Sequence, residues 1–185
     1  MPDSTVPELI SRLRVRTGSL IAVAVLLLAT PTWPSVLVGI FLSALGLVVR
    51  TWASGHLRKE KKLAVSGPYR YSRNPLYLGN FILGIGIAAG AYSWWVLAIA
   101  GLYFALFYPI LILEEKKRMK ELFPQEYEEY GKKVPLFFPS FRKRNDSSPE
   151  KFSWLLYKQN KEYRALLGTA AFWLLLITKL LVLNR

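Results

Sequence analysis

Charge in this 185-residue chain is confined to a few stretches, and apolar residues fill the intervals between them. Of the 25 Lys and Arg residues, three precede Gly18, seven lie in residues 50–73 and thirteen in residues 116–164, so 23 fall in three stretches. A soluble domain distributes its charges over one polar face of each element. Segregation on this scale is what a bilayer imposes, because backbone polar groups in hydrocarbon must be bonded within helices or a closed barrel.

Five apolar blocks stand between the charges: residues 19–33, 34–49, 76–90, 94–113 and 165–183. Pro31-Thr32-Trp33-Pro34 separates the first two, and Ala91-Tyr92-Ser93 joins the third and fourth. Neither turn carries a charge. A straight span takes roughly 20 apolar residues. The first three blocks fall short of that unless flanking residues such as Val15, Thr51 and Trp52 extend the helices; a shallow, re-entrant third helix is the alternative. Gly79, Gly84, Gly86 and Gly90 in the third block allow close helix–helix approach. The expected fold is an all-α integral membrane protein with about five transmembrane helices, arranged as two hairpins plus a C-terminal helix. The chain reads as one domain, divided into an N-terminal helical hairpin (1–53), a core (54–139), a cytosolic linker (140–164) and a C-terminal membrane helix (165–185). No small-x-small cleavage pattern follows the first apolar block, which is read as a retained span.

The formal charge of +13 would suit a nucleic-acid binder, but such proteins carry their basic residues on a folded polar face. Here the basic residues flank apolar blocks, where topology and anionic head groups account for them. No nucleic-acid partner is expected. The positive-inside rule places the N-terminus and both long loops in the cytosol, in a multi-pass arrangement. The absence of Cys excludes disulfides, thiolate nucleophiles and Cys-ligated metals, and a single histidine, His56, excludes a multi-histidine metal site. No metal is expected.

The loop from Glu114 to Arg164 is amphiphilic. Glu114 and Arg118 have the i,i+4 spacing of a supported helix, and Pro124 should end or kink it. Tyr127, Tyr130 and Val134 form an apolar stripe, Pro135-Leu136-Phe137-Phe138-Pro139 reads as an interfacial segment, and residues 145–150 read as an exposed linker. Lys179, inside the last block, should snorkel towards the nearer surface.

The densest polar cluster runs from Lys61 to Gly79, out of one apolar block and into the next. Gly67-Pro68 and Asn74-Pro75 are turn formers, and between them lie aromatic rings and the guanidinium groups of Arg70 and Arg73. These supply stacking faces for a planar base and cations for a carboxylate. On composition alone, a basic loop with aromatic interface anchors is the reading to expect. Glu114 and Glu115 follow the fourth block. Two carboxylates at the C-terminal end of a helix oppose its dipole, an objection that disappears if the helix continues through Met119. His56 reads as a membrane-interface residue at a helix end rather than as a general base.

Gly67-Pro68-Tyr69, then Arg73-Asn74-Pro75-Leu76-Tyr77-Leu78-Gly79, a hydrophobic hairpin, Glu114-Glu115, and finally Phe123, Tyr127, Tyr130 and Val134-Pro135 together resemble the isoprenylcysteine carboxyl methyltransferase family. The phospholipid N-methyltransferases share the broader pattern. The resemblance covers roughly residues 54–139. It implies an S-adenosylmethionine-dependent membrane methyltransferase, releasing S-adenosylhomocysteine, with a cytosol-facing pocket between the helices and the C-terminal loop. Carried over by position, the cofactor would be held by Lys61, Lys62, Leu63, Ala64, Gly67, Tyr69, Asn74, Pro75, Leu76, Tyr77 and Glu115. Arg73 is expected to align an anionic acceptor or the cofactor's carboxylate, and Glu114 to be the catalytic carboxylate; an amine acceptor would need a base such as Glu114, Glu115 or a water chain. The acceptor implied is a carboxylate on a lipid-like, prenylated molecule entering from the bilayer, with membrane lipids as neighbours and no obligate protein partner. A phospholipid or small-amine N-methyltransferase and a non-catalytic lipid-binding protein of the same fold are the alternatives. A sterol-reductase-like protein would be longer.

Three positions depart from the family pattern. Asn74 stands where Arg-His-Pro is common, and it can hydrogen-bond like a neutral His but cannot carry a proton. Lys61 replaces a His of the eukaryotic carboxyl methyltransferases. Leu111 stands where an Arg accompanies the substrate carboxylate.

Overall fold

The computed structural model describes residues 17–18, 20–141 and 150–183, and no strand occurs among the described residues. Helix α1 covers residues 20–28. It is followed by α2 (Trp33–Ser54), a 3-10 turn η1 (Gly67–Arg70), α3 (Pro75–Ala91), α4 (Trp94–Leu122), α5 (Pro124–Lys133), α6 (Trp154–Gln159) and α7 (Tyr163–Leu183). The expected linker at residues 145–149 and the basic residues ahead of Gly18 lie outside the described residues.

The architecture is that of a helical membrane protein. Helices α2, α4 and α7 are each long and apolar enough to cross a bilayer, whereas α3, at 17 residues, is a shorter apolar helix. Leu37, Phe41 and Val48 on α2, Leu97, Leu102 and Leu106 on α4, and Leu167, Leu174 and Leu181 on α7 are exposed. Aliphatic side chains turned outward along whole helices are stable against hydrocarbon and costly against water.

Local chemistry explains the helix boundaries. The Thr32 side chain accepts from the Ser35 N–H at 3.3 Å while the Ser35 hydroxyl accepts from the Thr32 N–H at 3.0 Å, a reciprocal cap. Trp33 therefore opens α2 instead of closing the preceding turn. Pro34 falls in the first turn, where a missing N–H breaks no bond. Helix α4 does not stop at Leu113 but runs on to Leu122, which places Glu114 and Glu115 inside it and removes the dipole conflict. Pro124 begins α5 after a break at Phe123.

Among the described residues, α2 and α3 make the most extensive helix–helix contact. An added Cβ at Gly86 would lie 2.5 Å from the Ser43 hydroxyl and 2.7 Å from the Gly39 carbonyl, and one at Gly46 would lie 2.7 Å from the Gly79 carbonyl. The backbones approach this closely because those positions lack side chains. At the uncharged end, the two hairpin turns are bonded to each other. Thr30 N–H donates to the Ala91 carbonyl at 2.8 Å and the Ser35 hydroxyl donates to the Gly90 carbonyl at 3.1 Å. Val25, Val36, Val96, Trp173 and Leu176 fill the core beside them. Lys179 also belongs to this end. Its ammonium donates to the Leu26 and Leu27 carbonyls at 2.7 and 2.8 Å, so it satisfies carbonyls in the last turn of α1 that have no intrahelical partner.

Candidate functional site

The charged end of the bundle holds a polar cavity of about 880 Å³ between α2, α3, α4, α5 and the start of α7, floored by the loop that joins α2 to α3. That loop is shaped by Gly67, whose φ of +56° favours glycine. A Cβ there would also lie 2.5 Å from the His56 ring. Pro68 is the second residue of η1, which delivers Tyr69 to the cavity wall.

Asn74 is 5% exposed, and its side-chain amide donates to the Leu136 carbonyl at 2.9 Å. The Ser72 hydroxyl donates to the Phe137 carbonyl at 2.6 Å, and Arg73 N–H donates to the Pro135 carbonyl at 3.0 Å. The segment after α5 is thereby bonded edge to edge with residues 72–74. This fixes Arg73, whose guanidinium lies over the Tyr127 ring at 5.3 Å while its Nε is buried without a partner among the described residues. Arg73 itself lines the cavity, and a guanidinium on a cavity wall suits an anionic ligand group. On the opposite side of η1, the Tyr130 hydroxyl donates to the Tyr69 carbonyl at 2.6 Å. Burial first, and then Tyr130, Glu115 and Glu162, push the Tyr69 phenol well above the usual tyrosine range, so it stays protonated.

Of the residues expected from sequence, Lys62, Leu63, Ala64, Tyr69, Arg73, Asn74, Pro75, Leu76, Tyr77 and Glu115 all line this cavity. Lys61, Gly67 and Glu114 are not part of its wall. Gly67 backs onto His56, and Arg118, expected to support Glu114 along the helix, instead pairs with Glu60 of the loop. His56 lies 2.8 Å through Nδ1 from the Ser66 hydroxyl, which in turn reaches Glu150, outside the cavity wall.

The structure adds Arg50, Asn80, Tyr108, Lys161 and Glu162 to the wall. Arg50 interrupts an apolar stretch and Asn80 is a lone amide within one. A polar residue inside an apolar block is a functional signal in a membrane chain. Nothing in the linear pattern marks Glu162.

A second cavity of about 680 Å³ lies between α3 and α4, lined by apolar side chains including Phe81, Ile85, Leu97, Phe104 and Phe137. Tyr108 borders both cavities, stacked edge-on against Phe104 at 4.3 Å and Tyr77 at 5.8 Å. Pro109 follows it within α4, where it removes an N–H from the helix ladder. A polar chamber and an apolar groove that meet at one tyrosine can hold a polar reactant and a lipid-borne group side by side.

Comparison with known proteins gives two kinds of match. Residues 19–126 match the family described as phospholipid methyltransferase. The chain is 38% identical over 113 residues to the cobalt-zinc-cadmium resistance protein CzcN of Cupriavidus metallidurans, covering 58% of this chain and 52% of that protein. It is 36% identical over 113 residues to the nickel-cobalt-cadmium resistance protein NccN of Alcaligenes xylosoxydans xylosoxydans, covering 58% and 53%. The chain thus spans about half the length of the curated relatives it matches. No solved structure matches it.

Proposed function

Because the chain belongs to the phospholipid methyltransferase family of membrane methyltransferases, we propose that it uses S-adenosylmethionine to methylate a carboxylate on a lipid-like, prenylated acceptor that enters from the bilayer. The observation that carries this reading is the meeting of the polar cavity and the apolar groove at Tyr108. By the positive-inside rule the cavity faces the cytosol, since the basic stretches lie at its end of the bundle.

The cavity wall fits the cofactor in chemistry. Leu63, Met119, Phe123 and Tyr127 offer apolar and aromatic surface for a base, Glu115 offers a carboxylate to ribose hydroxyls, and Tyr69 keeps its proton as a donor. When bound, S-adenosylmethionine supplies an electrophilic methyl on a sulfonium. Arg73 aligns the acceptor carboxylate, a role that its place on the cavity wall makes available. Leu111 lines the same cavity and supplies no charge at that position of α4, and we assign the guanidinium to Arg73 of the same wall. A carboxylate acceptor is already ionised at neutral pH and needs no base. What remains for the protein is orientation and exclusion of water, which Tyr77, Tyr108 and the 135–137 segment perform by closing the junction.

A second reading, methylation of a lipid amine, is favoured by the description of the matched family. It requires a base to take the ammonium proton. Glu115 lines the cavity and Glu114 does not, so Glu115 is the candidate.

Titration of the purified protein in detergent with S-adenosylmethionine tests the reading. Saturable binding that weakens in Tyr77→Ala and Glu115→Ala supports it, and no binding, or equal behaviour of both variants and wild type, sinks it. Labelled-methyl transfer to a prenylated N-acetylcysteine, followed by base-labile release of methanol, identifies ester formation; label that stays on phosphatidylethanolamine after base treatment identifies the amine reaction. The names of the two relatives add a phenotype. A sensitive bacterial host expressing this chain can be challenged with cobalt or cadmium beside the Glu115→Gln variant.

A further inference from the structure

Glu162 lies beyond the family-matched residues, yet it is buried at 8% exposure in the wall of the polar cavity. It precedes α7 by one residue and reaches back to α2. Both Arg50 Nε and Arg50 Nη2 contact Glu162 Oε1 at 2.5 Å, and Arg50 Nη1 donates to Asn80 Oδ1 on α3. The neighbouring strap is pinned in place. The Asn160 side-chain amide donates to the Ser54 and Leu57 carbonyls at 3.0 Å each, and Ser153 N–H donates to the Gly55 carbonyl at 3.0 Å. The carboxylate is thus held against the cavity by contacts of the residues that precede it.

Donor and acceptor counting shows what this wall still offers. A carboxylate accepts through two oxygens, and a guanidinium has five N–H donors. The contacts of Arg50 fall on Oε1, which leaves Oε2 among the described residues to the cavity. Three guanidinium donors are engaged, which leaves one N–H on each Nη. Among the described residues, the wall therefore presents one acceptor oxygen beside guanidinium N–H groups that are not taken, in a pair with no net charge.

The complement of such a wall is a zwitterion. A lone anion would meet Glu162 as a like charge in a poorly hydrated place, and a lone ammonium would meet Arg50 in the same way. A group carrying an ammonium and a carboxylate on neighbouring atoms satisfies both. We propose that Glu162, with Arg50 and Asn80, binds the α-ammonium and α-carboxylate of the amino-acid end of the methyl donor, with Glu162 as the residue that makes the site specific for a zwitterion. This rests on the S-adenosylmethionine reading above. It assigns the ends of the ligand within the cavity: the nucleoside towards Leu63 and Glu115, the amino acid towards α2 and α7.

The test compares two nucleoside thioethers on the full chain in nanodiscs. S-adenosylhomocysteine carries the amino-acid end, and 5′-methylthioadenosine lacks it. Wild type should bind the first roughly ten- to hundredfold more tightly than the second, the range for charge-assisted hydrogen bonds. Glu162→Gln should lose most of that difference while its affinity for 5′-methylthioadenosine stays within about twofold of wild type. Arg50→Lys, which keeps the charge and loses the fork, should weaken only S-adenosylhomocysteine. Equal affinity of wild type for the two ligands overturns the assignment without any variant needing to fold. Equal weakening of both ligands in Glu162→Gln also overturns it, since that is what a merely structural role produces. A third contrary result is unchanged S-adenosylhomocysteine affinity with a raised KM for phosphatidylethanolamine, which would give the pair to a zwitterionic lipid head. If neither thioether binds wild type, the methyl-donor reading fails and this assignment fails with it.

Discussion

The Tyr130 hydroxyl on α5 donates to the backbone carbonyl of Tyr69 at 2.6 Å, across 61 residues of sequence. That single bond joins the helix after the long α4 to the 3-10 turn that floors the cavity. Both side chains are buried, at 8% and 6% exposure. The cavity therefore depends on α5 being docked, and α5 is a polar helix of 10 residues too short to be stable by itself.

Tyr130→Phe removes the donor while keeping the ring, and leaves the Tyr69 carbonyl without that partner. The expected cost is about 1–3 kcal/mol, read as a lower Tm in detergent. Weaker S-adenosylhomocysteine binding should accompany it, because η1 is no longer held. A Tm unchanged from wild type would show that α5 docks through Tyr127 and Val134 packing alone.

Gly86→Ala and Gly101→Ala make opposite predictions from the same chemical change. At Gly86 the new methyl meets the Gly39 carbonyl, a backbone atom that cannot step aside, so α2 and α3 must separate. Overpacking of that kind costs about 1–3 kcal/mol. At Gly101 nothing lies within 4 Å, and alanine in a helix interior is favoured over glycine by roughly 1 kcal/mol. Thermal melts of the two purified variants should move in opposite directions.

Glu115 and Glu114 are adjacent, yet only Glu115 borders the cavity. Glu115→Gln should weaken S-adenosylhomocysteine binding roughly tenfold or more, the scale of a lost charge-assisted bond. Glu114→Gln should stay within about twofold. Equal effects from the two substitutions would contradict the observed rotation of α4.

Acid should loosen the strap that carries Glu150 and Phe152. Burial holds the His56 imidazole below its ordinary pKa, against the pull of Glu150. The hydrogen bond and charge of Lys62 hold Glu150 below the usual carboxylate range. In both cases the unfolded chain takes up the proton at a higher pH than the folded one, so stability falls as pH falls. The loss begins as pH drops through about 6.5 with His56 and continues below about 4.5 with Glu150. His56→Gln keeps a hydrogen-bonding group beside Ser66 but cannot titrate. Its Tm should therefore fall less than that of wild type between pH 7 and pH 5.

Hydropathy and charge along the chain were enough to identify a helical membrane protein, because a bilayer forces each segment to be apolar or charged as a whole. The family resemblance, not hydropathy, placed part of the cavity wall. Residues 62–64, 69 and 73–77 are close in sequence and ride on one turn and one helix start, so a linear motif captures them. Glu115 came with the same resemblance. The tertiary structure decided the rest. It separated Glu115 from Glu114 through the rotation of α4, turned Gly67 towards His56, and set Lys179 against the end of α1. It also brought Glu162 to Arg50 from 112 residues away. Such a meeting is invisible in linear pattern because it depends on how α2, α3 and α7 lie against one another. That arrangement is set by side chains absent at Gly39, Gly46, Gly79 and Gly86, and by Trp173 packed beside Gly39 and Gly90.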